Sequence, residues 1–111
     1  MTTRIKLIGV LVASCATFAS ATAQQAAVQL TLKDHRFVPA EAHARANAPL
    51  TIVLRNLDPT PAEFESKALR VEKVVAGGAQ VSIEIRALAP GRYRFFDDYN
   101  EASTFGFLIV E

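Results

Sequence analysis

Beyond residue 26 the chain is patterned with a period of two. Val28, Leu30 and Leu32 alternate with Gln29, Thr31 and Lys33, which predicts a strand buried on one face. Phe37-Val38-Pro39-Ala40 follows, where a proline without an N–H marks a bend or a strand edge. Leu50 to Leu54 is a continuous β-favouring run, and Asn56-Leu57-Asp58-Pro59-Thr60-Pro61 ends it as a loop. Glu63-Phe64-Glu65 predicts a short strand, and Leu69 to Val74 alternates again before the turn Ala76-Gly77-Gly78. Val81, Ile83 and Ile85 share one face. Ala89-Pro90-Gly91 turns into Tyr93 and Phe95, and Phe105 to Val110 closes the chain as an apolar strand. Short strands with Gly/Pro punctuation, no convincing helix, no repeat and no linker predict a single all-β domain, a sandwich or a barrel.

The first residues follow another logic. Arg4 and Lys6 precede an apolar run from Ile5 to Phe18, and Ala21-Thr22-Ala23 offers the small side chains that a signal peptidase reads. The expectation is a cleaved signal peptide over residues 1–23, a mature domain over 24–111, and export to the periplasm. The run is short for a transmembrane anchor. Val12-Ala13-Ser14-Cys15 also resembles a lipobox, which would make Cys15 a lipidated N-terminus; a membrane is expected to be met only through the export signal or this lipid, and release after Ala23 is favoured.

Cleavage there changes the chemistry available. The chain has 12 basic and 11 acidic side chains, and losing Arg4 and Lys6 leaves 10 against 11, a net charge of about −1. Such a balance argues against a nucleic-acid partner. The single Cys and single Met also leave with the leader, so the mature domain has no thiol, thioether or disulfide. There is no nucleophile–base pair at recognisable spacing, no phosphate-cradling glycine loop and no zinc motif. The expectation leans away from an enzyme.

The segment PGRYRFFDDYNEASTFGFLIVE resembles the end of a cupredoxin, and NLDPTPAEFES resembles the upstream ligand loop of that family. The resemblance spans nearly all of the mature chain and implies a cupredoxin-like Greek-key β-sandwich. It places Asp97 where the copper-binding Cys is expected, Ala62 and Asn100 at the two His positions, and Thr104 near the Met position. Type 1 copper needs a thiolate, two imidazoles and a weak axial ligand, so these four residues exclude it. A narrower resemblance, carried by KDHRFVPAEAHARANAPLTIVLRN, PAEFESKALRVEKVVAGG and PGRYRFFDDYNEA, is to the EfeO-type cupredoxin-like proteins of bacterial iron uptake. It implies iron as the cofactor or cargo and an iron permease or oxidase as partner.

Glu63 and Glu65 flank Phe64, so on a strand both carboxylates leave one face while Phe64 enters the core. Asp97, Asp98 and Glu101 lie on the loop that the family places beside them. The candidate metal ligands are therefore Glu63, Asp97, Asp98, Glu65 and Glu101, whose oxygens suit hard cations such as Fe³⁺, Mn²⁺ or Ca²⁺. The competing expectation is a solvated acidic loop paired with Arg70, Lys73, Arg92 or Arg94. His35 and His43 stand off the ligand positions, His35 in a structural hydrogen bond and His43 exposed. Phe37, Phe64, Tyr93, Phe95 and Phe107 read as core, and Phe96 and Tyr99 as packing beside the acids. Three functions stay open: an iron-handling accessory protein, a metal-free module that docks on an oxidase or permease complex, and a ferroxidase.

Overall fold

A computed structural model describes residues 2–17 and 26–111. Residues 2–17 are exposed and without regular secondary structure. The expected cleavage site at Ala21–Ala23 lies outside the described residues. Among these, no helix is long and apolar enough to cross a membrane.

Nine strands follow: β1 (Ala26–Lys33), β2 (Arg36–Val38), β3 (Glu41–Ala44), β4 (Leu50–Asn56), β5 (Ala62–Ser66), β6 (Val71–Val75), β7 (Gln80–Ile85), β8 (Gly91–Asp97) and β9 (Phe105–Val110). A 3-10 turn, Asp98–Asn100, is the sole helical element among the described residues. The strands form a four-stranded sheet in the order β2-β1-β4-β7 and a five-stranded sheet in the order β3-β9-β8-β5-β6. The chain changes sheet between β2 and β3, β3 and β4, β4 and β5, β6 and β7, and β7 and β8, which makes the two layers one sandwich.

Alternation decides which side chains meet between the sheets. Leu30, Leu32, Ile52, Leu54, Ile83 and Ile85 face inward from one sheet, and Phe64, Val75, Phe95, Leu108 and Val110 from the other; all are buried. Phe37 packs edge-on against Phe95 at 5.0 Å between ring centroids and against Phe64 at 6.1 Å, while Phe64 and Phe95 stack at 5.2 Å. Each such pair contributes roughly 0.5–1.5 kcal/mol beyond the area it buries. The triad joins the sheets, because Phe37 belongs to β2 and the other two to β5 and β8.

Two details depart from the sequence pattern. β3 was not expected: in Glu41-Ala42-His43-Ala44 only Ala42 is buried, and the segment becomes a strand by pairing parallel to β9 at the sheet edge. Phe107 is not core. In β9 the inward positions belong to Gly106, Leu108 and Val110, which turns Phe107 outward beneath the Arg92 guanidinium, 3.9 Å from the ring centroid. Tyr93 is half-buried against the core and its hydroxyl donates to the Ala89 carbonyl at 2.7 Å.

One end of the sandwich gathers the β1–β2 turn, the β4–β5 loop, the β6–β7 turn and the β8–β9 loop. Asp34 and His35 form the two-residue turn of the first hairpin with φ of 51° and 57°, the left-handed geometry that suits a right-twisted hairpin. The Asp58 carboxylate accepts both of their N–H groups, at 2.6 and 3.0 Å. Asn56, fully buried, accepts the Asp58 N–H through Oδ1 and donates Nδ2 to the carbonyls of Thr60, Val75 and Ala76. Thr104, also fully buried, donates its hydroxyl to the His35 carbonyl at 2.7 Å. The hydrogen bonds of His35 thus come from its backbone, and its side chain is exposed. His43 is exposed too, with Nδ1 3.0 Å from a Glu111 carboxylate oxygen. Gly77 closes the end: a Cβ there would lie 2.2 Å from the Pro59 carbonyl oxygen, so no side chain fits.

Removing the Asp58 carboxylate strands two turn amides. Asp58→Ala is expected to lower the free energy of unfolding by about 1–3 kcal/mol, and Asp58→Asn, which keeps an acceptor oxygen, by less. Urea denaturation of the two variants beside wild type measures both.

Candidate metal centre

Strand β5 alternates strictly. Ala62, Phe64 and Ser66 are buried, and Glu63 and Glu65 emerge on the outer face of the five-stranded sheet. β6 runs antiparallel beside it, with Glu72 directly opposite Glu65 and Val74 opposite Glu63. Like charges in opposed positions destabilise a strand pair. On the other side β8 pairs Phe96 with Glu65, and the chain then enters the 3-10 turn, which begins with Asp98. One carboxylate oxygen from each of Glu63, Glu65 and Asp98 lies within 4.8 Å of the others. Glu63 and Glu65 are half-buried and Asp98 is exposed.

The crowding appears in the proton affinities. A hydrogen bond shared with Glu72 holds the Glu63 carboxyl above its ordinary pKa, with partial burial and the charges of Glu72, Asp98 and Glu65 acting in the same direction. Glu65 is raised by burial first, then by Asp98 and Glu72, and Lys67 opposes the shift. Tyr99 is raised by burial and then by the neighbouring Glu63 charge. Glu72 was missed in the sequence because it stands alone in a Val-Glu-Lys-Val strand; the hairpin register that brings it to Glu65 was the available signal.

The other two candidates sit elsewhere. Asp97 is buried, 1 % exposed, and its carboxylate is directed inward. Oδ1 accepts the Glu63 N–H at 2.9 Å and the Tyr99 N–H at 3.1 Å, and Oδ2 accepts from Asn100 Nδ2 at 3.1 Å. Glu101 is ion-paired with Arg94 at 3.3 Å. Glu101 does share an open depression of ≈ 390 Å³ with Glu65, Asp98, Lys67, Arg94 and Phe96. The structure thus brings together Glu63, Glu65 and Asp98, commits Asp97 to internal hydrogen bonds, and leaves Glu101 at the rim. Phe96 is buried under Arg94, whose guanidinium is 5.0 Å from its ring, and Tyr99 is about half exposed. Arg70, Lys73 and Arg92 form no ion pair with any of the five acids among the described residues.

Three hard oxygen donors that repel one another form a site where a small cation would be favourable. A carboxyl with a raised pKa in the folded chain binds its proton more tightly folded than unfolded. Stability therefore falls as pH rises through the window just above the ordinary value of 4.5, where Glu63 and Glu65 become charged. Glu63→Gln/Glu65→Gln is expected to match wild type in Tm below that window and to exceed it at neutral pH, as calorimetry across the pH range would show.

The chain matches the cupredoxin-like domain family over residues 5–110. It is 36 % identical over 83 residues to an uncharacterized protein of Rickettsia prowazekii (strain Madrid E), covering 75 % of this chain and 66 % of that one. The chain thus spans just under two thirds of that relative's length. Among solved structures, it is similar to the metal-binding domain of the Cu(I)-exporting P-type ATPase CopA of Streptococcus pneumoniae D39, with a TM-score of 0.68, 14 % identity, and coverage of 77 % of this chain and 84 % of that one. It is also similar to auracyanin A, a blue copper protein of Chloroflexus aurantiacus, with a TM-score of 0.67, 14 % identity, and coverage of 79 % and 100 %. These likenesses are of fold. A type 1 copper ion does not fit the residues here: the inward carboxylate of Asp97 is surrounded by N–H donors, and Ala62, Asn100 and Thr104 add no thiolate or imidazole. The sandwich, its strand order and the sequence match together assign this chain to the cupredoxin-like domain family.

Proposed function

We propose that this protein is an exported, periplasmic accessory factor that binds a hard cation through Glu63, Glu65 and Asp98, and that the cation is iron handled within a bacterial uptake system. The observation that carries the proposal is the convergence of three carboxylates from β5 and the 3-10 turn within 4.8 Å. Their mutual repulsion supports it, since a bound cation would relieve it. The choice of iron rests on the EfeO-type motifs, which also suggest an iron permease or oxidase as partner. Copper, named for the solved relatives, is a poor match, because a Cu(I) ion seeks thiolate, thioether or imidazole and this surface offers oxygen.

A ligand selective for the folded state stabilises it, by about 2.7 kcal/mol at a hundred times its dissociation constant. Mn²⁺, or Fe²⁺ under anaerobic conditions, is expected to raise Tm in wild type and not in Glu63→Gln/Glu65→Gln/Asp98→Asn. An unchanged Tm in wild type with both metals would end the cation reading. It would leave the second one, a metal-free module docking on a larger oxidase or permease complex, which the exposed Phe105 and the arginines stacked on β8 and β9 favour.

A further inference from the structure

The three clustered acids come from two pieces of chain that meet along a short strand pairing. Glu63 and Glu65 ride on β5, whereas Asp98 begins the 3-10 turn that leaves β8. The register between β5 and β8 is short, limited to Phe64 with Asp97 and Glu65 with Phe96. Above it, Asp97 takes over. Its Oδ1 receives the Glu63 N–H from β5 and the Tyr99 N–H from the 3-10 turn, so one oxygen joins both pieces. Oδ2 fixes the far side of the turn through Asn100 Nδ2. The backbone of Asp97 adds a further tie, its N–H donating to the Thr104 carbonyl at 2.9 Å. Among the described residues no Lys, Arg or His forms an ion pair with this buried carboxylate, and its hydrogen bonds come from N–H donors. A buried acceptor satisfied in this way is a strong and directional tie.

We infer that Asp97 is the positioning residue of the acidic cluster: its inward carboxylate clamps β5 to the 3-10 turn, and that clamp makes Glu63, Glu65 and Asp98 converge on the outer face. The inference rests on the cation reading for its use, though not for its geometry. Asp97 touches no cation itself. From within the fold it joins the β8–β9 loop to the neighbouring strand, and so leaves the acids of the cluster to face outward.

Two readouts on the purified protein test this. The first is structural and needs no metal. In Asp97→Ala, the amides of Glu63 and Tyr99 are expected to lose their protection from hydrogen exchange, and the three carboxylates to separate in its crystal or solution structure. The second is Mn²⁺ affinity, followed by electron paramagnetic resonance of the free ion. Asp97→Ala is expected to weaken it at least about tenfold, while Asp97→Asn, which keeps an oxygen for both amides, stays close to wild type. Ser66→Ala is the control, because Ser66 also bonds β5 to β8 through the Arg94 carbonyl; it is expected to lower Tm without changing affinity. If Asp97→Ala does not fold, Asp97→Ser, whose hydroxyl reaches one amide at most, gives the same readouts. An Asp97→Ala structure with the carboxylates still together overturns the inference, as does a Ser66→Ala variant that loses affinity equally. If wild type binds no Mn²⁺, the cation reading falls, and the structure of the variant alone decides the clamp.

Discussion

Two buried carboxylates hold together the end of the sandwich where four connections meet. Asp58 receives the amides of the β1–β2 turn, and Asp97 receives amides from β5 and the 3-10 turn. Connections are where a β-sandwich runs out of ladder partners, and an N–H left there without an acceptor costs about 1–3 kcal/mol. Asn56 and Thr104 complete the set, bonding to the carbonyls left over. No buried side-chain polar atom among the described residues lacks a partner. The placement of Glu63 on β5 and of the 3-10 turn that carries Asp98 depends on how those amides are aimed.

The strands were legible because their chemistry is local. Val28-Leu30-Leu32 and Val81-Ile83-Ile85 state their buried face in their own spacing, and Glu63-Phe64-Glu65 states its outward acids in the same way. β3 was not legible, since its strand character is lent by β9, more than sixty positions later. Phe107 misled for a related reason: an aromatic ring in an apolar strand looks like core until the inward positions are counted from Val110 and Leu108. The candidate site was half visible. Adjacency in sequence grouped Asp97 with Asp98, but one residue of alternation sends their side chains in opposite directions, inward at 1 % exposure and outward into solvent.

The outer face of the five-stranded sheet divides its charges. Arginines cover the β8–β9 side, with Arg92 over Phe107 and Arg94 between Phe96 and Phe105, and each is committed to an acid of its own, Glu41 and Glu101. The β5–β6 side keeps Glu63, Glu65, Glu72 and Asp98, and Lys67 beside Glu65 works against the rise in that carboxyl's proton affinity. Stacking explains the division. An Arg lying on an aromatic ring gains from both the ring and the nearer carboxylate, and it cannot swing away to neutralise a second cluster without losing the first.

The place of β9 governs how such a molecule comes into being. It lies between β3 and β8, pairing parallel with one and antiparallel with the other, and its Leu108 and Val110 reach the middle of the core. Until it arrives, β3 has no neighbour in its sheet and the core lacks one wall. The sandwich is thus completed by pairings between distant parts of the sequence, whose loop-closure cost must be met before β3 and β9 can hold each other in place.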